Sequence, residues 1–148
     1  MSTLTSSIEV RATPERTFQA FTDLRNAAGR VRGIKKLDVL TDGPIGKGTR
    51  FRETRIMFGR EATEEMEITD YQPGKSYTVG GISCGAEFAT TFRFVPAGGG
   101  TRVEIEMALR PISFFAKLMA PLSGMMMGPM KKCVEADMDD MRKIAETG

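Results

Sequence analysis

The chain of 148 residues predicts an α+β domain: one early strand, a helical interruption, a six-strand antiparallel meander and a long closing helix. Three observations carry that prediction. Apolar residues recur with period two from Ile34 to Leu109. Turn clusters punctuate this stretch at Asp42-Gly43-Pro44, Phe58-Gly59-Arg60, Gln72-Pro73-Gly74-Lys75 and Pro96-Ala97-Gly98-Gly99-Gly100. After Pro111 the apolar spacing lengthens to three or four residues. The length is that of one ordinary domain, expected to span 1–148.

Ile8-Glu9-Val10-Arg11-Ala12 alternates apolar and polar residues and predicts the first strand. Thr13 then caps a helix that Pro14 opens, with Phe18, Ala20 and Phe21 as its apolar stripe. Asp23 is a second cap, for a short helix around Leu24 to Ala28 that Gly29 ends. Strands follow at about Ile34–Thr41, Gly48–Met57, Glu61–Tyr71, Ser76–Val79, Ala86–Val95 and Thr101–Leu109. In the last segment Leu118, Leu122, Met126, Met130, Val134, Met138, Met141 and Ala145 form one stripe. Pro121 and Pro129 each remove an amide donor, which kinks or interrupts the first half and leaves the part from Met130 regular. So amphipathic a helix needs an apolar partner, and the concave sheet is the large one available.

Composition excludes several function classes. The chain has no histidine. Ser-His-Asp hydrolysis, imidazole acid–base catalysis and His-ligated zinc are therefore ruled out, and neither a metal nor a cofactor is expected. Cys84 and Cys133 make no metal-spaced pair and are expected to be reduced thiols of a cytoplasmic protein. Cys133 would be a nucleophile only with a base beside it. A net charge of +2, with no basic patch interleaved with stacking aromatics, points away from nucleic acid. Arg25, Arg30, Arg32, Lys35 and Lys36 form a base-only stretch, while Glu135, Asp137, Asp139 and Asp140 crowd the final helix. Both are expected to be solvated faces. The first residues lack the basic and apolar regions of a signal peptide. The uncharged run Leu118–Met130 is too short to cross a bilayer, and Pro121, Gly124, Gly128 and Pro129 break it. Neither Gly80-Gly81 nor Gly98-Gly99-Gly100 precedes a helix, so no phosphate cradle is expected.

Four local phrases recur in an order that can be matched. The first is Ile8-Glu9-Val10, Pro14-Glu15, Phe18 and Asp23-Leu24. The second is Gly46-Lys47-Gly48-Thr49-Arg50-Phe51, the third Tyr71-Gln72-Pro73-Gly74, and the last Gly100-Thr101-Arg102-Val103. Together with the element order, they resemble the START-like helix-grip superfamily, which includes the birch-pollen-allergen group. The wording is most similar to its bacterial polyketide cyclase/dehydrase-like and lipid-transport members. The resemblance implies a seven-stranded curved antiparallel sheet, two short helices after strand 1, and a long C-terminal helix across the sheet enclosing a cavity. Members often carry a Trp-Pro pair after the Asp-Leu. Here Arg25-Asn26-Ala27-Ala28-Gly29-Arg30-Val31-Arg32 stands in that place, which implies a smaller and more basic lid.

A helix laid across a curved sheet leaves a ligand-sized cavity, and strand parity assigns its walls. Val103, Ile105, Met107 and Leu109 share one inward face; Phe88, Thr90, Phe92 and Phe94 form another. Met66 and Ile68 point the same way, with Glu64 as a candidate extension. The strand from Gly48 offers two parities: Phe51, Glu53, Arg55 and Met57, or Arg50, Arg52, Thr54, Ile56 and Phe58. The first carries fewer charges and is expected inward. Leu122, Met126 and Met130 complete the ligand-facing set from the helix, and Met125 to Met127 leave apolar surface for a transient membrane contact or a second subunit. Tyr77 is a candidate to aim a hydroxyl into the chamber, and Tyr71 to stand at its rim.

Glu53 and Arg55 on an apolar wall admit three readings: a same-face ion pair that survives partial burial, a pair of ligand anchors, or an acid–base pair. Three functions follow. The first is binding or transport of a small hydrophobic molecule such as a lipid, quinone or polyketide, by a monomer or homodimer. The second is a cyclase or dehydratase using Glu53, Arg55 and Tyr77. The third is a module that binds a protein partner through the Arg25–Lys36 stretch and the surplus methionines.

Overall fold

The computed structural model describes residues 2–57, 59–83, 86–111 and 124–147. In chain order these form β1 (Ser2–Val10), α1 (Pro14–Thr22), a 3-10 helix (Leu24–Gly29), β2 (Ile34–Val39), β3 (Arg50–Met57) and β4 (Arg60–Gln72). There follow β5 (Ser76–Ser83), β6 (Ala86–Ala97), β7 (Gly100–Pro111) and α2 (Gly124–Thr147). The strands make one seven-stranded antiparallel sheet in the order β1-β7-β6-β5-β4-β3-β2. This is the helix-grip arrangement.

Several strands run longer than their sequence pattern, β1 and β5 by the most, four residues each. β1 starts at Ser2 because Leu4, buried like Val10, continues the inward alternation across a run of Ser and Thr. β5 continues past Val79 through Gly80 and Gly81 to Ser83. Glycine weakens a strand pattern, but here it serves a close approach: a Cβ at Gly81 would stand 2.9 Å from the Phe88 ring. At the β6–β7 hairpin, Gly98 and Gly99 take φ values of 56° and 83°, the left-handed pair that a tight two-residue turn needs.

Two irregularities shape the inner face. The register between β2 and β3 slips between Ile34 and Lys36, which lets Ile34 and Leu37 face inward together. A second slip, between Ile68 and Asp70, reverses the parity of β4, so Ile68 and Tyr71 both reach the core side. Tyr71 does not stand at the cavity rim as expected; it packs on Phe18, with ring centroids 5.2 Å apart.

Thr13 caps α1, its hydroxyl accepting from the Arg16 amide at 3.2 Å, and Pro14 opens the helix. Phe18 and Phe21 then drive edge-on into Phe94 at 5.1 and 5.4 Å, closing one end of the sheet's concave side. Asp23 makes no backbone cap. Its carboxylate accepts instead from Asn26 at 3.0 Å and pairs with Arg30 at 3.4 Å.

Of the kink or interruption expected at Pro129, the interruption is absent: α2 continues through it. Met138 and Ala145, each 1% exposed, seat its second half on the sheet. Pro121, Leu118 and Leu122 lie outside the described residues. Among the described residues, no helix is long and apolar enough to cross a membrane.

Candidate functional site

Between the sheet, the 3-10 helix and α2 lies a cavity of about 510 Å³. Its floor comes from alternate residues of four strands: Phe51 on β3, Met66 on β4, Val79 on β5, and Phe88, Thr90 and Phe92 on β6. Ile105, Met107 and Leu109 of β7 extend it, and Val134, Met138, Met141 and Ile144 of α2 roof it. The parity expected for β3 holds: Phe51, Glu53 and Arg55 face inward, while Arg50, Arg52 and Ile56 are exposed. Thr54 is the exception on the outer face. It is buried there because its hydroxyl pairs with that of Thr63 across the strands at 2.9 Å.

Some expected wall residues sit elsewhere. Ile68 and Val103 share the inward face but are fully buried in the packed core, so they support the cavity without lining it. The ring of Tyr77 lines the cavity and stacks on Phe92 at 4.6 Å, but its hydroxyl donates to the Phe21 carbonyl at 3.4 Å. Burial, then the nearby Glu53, raises that hydroxyl far above its ordinary range, so it stays protonated. Leu122 lies outside the described residues, as do the side chains of Met57, Met126 and Met130 and the apolar surface expected at Met125 to Met127.

Polar chemistry concentrates at one place. Arg55 donates from Nε to Glu53 Oε1 at 2.7 Å, and its Nη2 donates to the same oxygen. Its Nη1 donates across the cavity to Asp137 Oδ2 of α2 at 2.9 Å. The side chains are 12% (Glu53), 21% (Arg55) and 21% (Asp137) exposed, so the cluster is largely removed from water. Gly33 backs it closely: a Cβ there would stand 3.2 Å from Asp137 Oδ1 and 3.3 Å from Arg55 Nη1. Across β3–β4, Glu53 is the register partner of Glu64, which also lines the cavity.

Burial raises the Glu53 carboxyl above its ordinary value; Arg55 opposes the rise, and Asp137 and Glu64 add to it. Asp137 is raised for the same first reason, against Arg55 and with Asp140. For Arg55, burial pulls down but the two carboxylates outweigh it, so the guanidinium is held still more firmly protonated. The arrangement is one fixed cation between two acids that are reluctant to ionise together.

Asp137 is the site residue that sequence reasoning placed on a solvated face. Helical arithmetic contains the missing signal: it lies three residues after Val134 and four before Met141, both on the stripe. Asp140 was placed there too, yet it is 7% exposed and accepts from the Arg32 amide at 3.0 Å and from Arg32 Nε at 3.0 Å. Glu135 is exposed as expected. Cys133 is a free, half-buried thiol on the cavity wall; Cys84 lies outside the described residues.

A curved antiparallel sheet gripping a helix over an apolar cavity defines a START-like helix-grip protein. A model of the family "Polyketide cyclase / dehydrase and lipid transport" matches residues 1–146, and the chain belongs to that family. Among solved structures it is similar to TTHA0849 from Thermus thermophilus, with a TM-score of 0.78 at 20% identity over 97% of each chain. It is also similar to Ara h 8.0201, at 0.77 and 14% identity over 99% of each. The Zhui aromatase/cyclase from Streptomyces sp. R1128 aligns at 0.76 and 13% identity, over 98% of this chain and 93% of that one. At these identities the likeness is one of fold. No curated protein matches the chain in sequence.

Proposed function

We propose that the protein binds or carries one small hydrophobic molecule in the cavity between the sheet and α2, with Glu53 and Arg55 at its polar end. The observation that supports this reading best is the cavity itself. At about 510 Å³ it falls inside the range of small-molecule sites, and its lining is mostly aliphatic and aromatic, with its charges in the Glu53–Arg55–Asp137 cluster, Glu64 and the Asp23–Arg30 pair. Each Å² of apolar ligand surface removed from water contributes about 25 cal/mol, which makes micromolar affinity reachable without many polar contacts. Met66, Met107, Met138 and Met141 give the wall an adaptable shape. The test is native mass spectrometry of the purified protein, with organic extraction of whatever it releases. A defined hydrophobic compound near one per chain is expected. A protein that carries nothing and takes up no added hydrophobic ligand would refute the reading.

A second reading rests on the buried Glu53. A carboxyl raised by burial and bonded to a guanidinium is suited to move a proton next to a carbonyl, as a cyclase or dehydratase requires. On that reading Glu53→Gln abolishes turnover of a polyketide-like substrate and leaves its binding intact. Equal loss of both would count against catalysis.

A further inference from the structure

Both cations that line the cavity are already committed. Arg30 pairs with Asp23 at the mouth, and each of the three guanidinium nitrogens of Arg55 donates to a carboxylate. An incoming carboxylate or phosphate would meet no uncommitted cation among the described lining residues. The converse is true of a positive charge. Two acids share the single charge of Arg55, so the ionised cluster carries one negative charge too many, even leaving Glu64 aside. Both Arg55 bonds to Glu53 end on Oε1 and the bond to Asp137 ends on Oδ2. Glu53 Oε2 and Asp137 Oδ1 receive none of them.

The neighbouring wall points the same way. Phe51, Tyr77, Phe88 and Phe92 line the same cavity, and aromatic faces attract cations. A metal ion is a poor occupant: among the described residues no three Cys, Asp or Glu side chains converge to hold one. An organic cation with an apolar body fits both features, because its charge balances the acids and its body fills the rest.

Resting on the reading of the cavity as a ligand site, we propose that it selects hydrophobic amines in their protonated form, the ammonium donating to Glu53 and Asp137. The charge on Glu53 that burial disfavours is stabilised once the ammonium arrives, so binding near neutral pH releases a proton wherever the cluster still holds one.

The test is calorimetric titration of the full chain with decylammonium, decanol and decanoate, each below its micellar concentration and at the same neutral pH. Decylammonium is expected to bind at least about tenfold tighter than decanol, about 1.4 kcal/mol, with decanoate weakest. Glu53→Gln and Asp137→Asn each leave Arg55 with one carboxylate, so both are expected to fold. Each should shrink the ratio of decylammonium to decanol affinity from about tenfold toward one. Decanoate binding as well as decylammonium, or an amine preference that survives in both variants, would overturn the inference and leave the carrier reading standing. Failure of all these probes to bind would overturn the carrier reading and the inference with it.

Discussion

Asp137 and Asp140 lie one helical turn apart on α2 and each meets an arginine, yet their carboxyls are pushed in opposite directions. Burial raises Asp140, but the bonds from the Arg32 side chain and amide outweigh it, and the carboxyl ends below its ordinary value. Burial raises Asp137 as well, and there Arg55 does not outweigh it. The difference lies in the cations. The Arg32 side chain is 72% exposed and stays hydrated. Arg55 is itself buried and must also serve Glu53. The Asp140 carboxylate can therefore act as a clamp, whereas the one a turn earlier belongs to a buried charge cluster on the cavity wall.

The largest expected effect comes from removing the shared cation. Arg55→Met leaves Glu53 and Asp137 buried without it and is expected to cost about 3–5 kcal/mol near neutral pH. Because those acids then take up protons readily, the loss should shrink as pH falls toward 5. Urea denaturation at both pH values reads this out, and an equal loss at both would break the contrast.

Asp140→Asn should cost less, about 1 kcal/mol, since its partner is solvated and the contact is screened. A depressed carboxyl contributes stability above its unfolded value near 3.8 and loses it as pH falls through the lower folded value. The variant and the parent should therefore converge in strong acid. Glu53→Gln should change stability least, by under about 1 kcal/mol, and in the stabilising direction at neutral pH. Its carboxyl is raised, so the folded state binds the proton better than the unfolded one. Ionisation then erodes stability as pH climbs from 4.5 through the folded value. Melting temperature against pH should fall less steeply over that window in Glu53→Gln, while Asp140→Asn should leave that slope as it is.

The same contrast explains what could be read from the residues beforehand. Element order was legible because it is period-two information; alternation put Phe51, Glu53 and Arg55 on one face, and the smaller number of charges on that face pointed it inward. Bulges are not periodic, so the shared inward face of Ile34 and Leu37 and the docking of Tyr71 on Phe18 needed the register. Parity also cannot separate a residue that lines the cavity from one packed in the core beside it, as Ile68 and Val103 are. Asp137 was hidden by its neighbours, since four acids close together read as one solvated face until the helix is docked. The partner of Arg55 lies 82 residues away in sequence, and no local pattern encodes that distance.

The edge of the sheet bears on how the chain reaches this state. β1 pairs only with β7, Ser2 opposite Leu109 and Val10 opposite Thr101. Until β7 exists, the first strand has no ladder to join, and Leu4 and Val10 have nowhere to be buried. Contacts of such long sequence separation slow the search for the native topology and lengthen the time a bare strand is open to neighbouring chains. During synthesis, β1 must therefore wait through the whole meander before it finds its place.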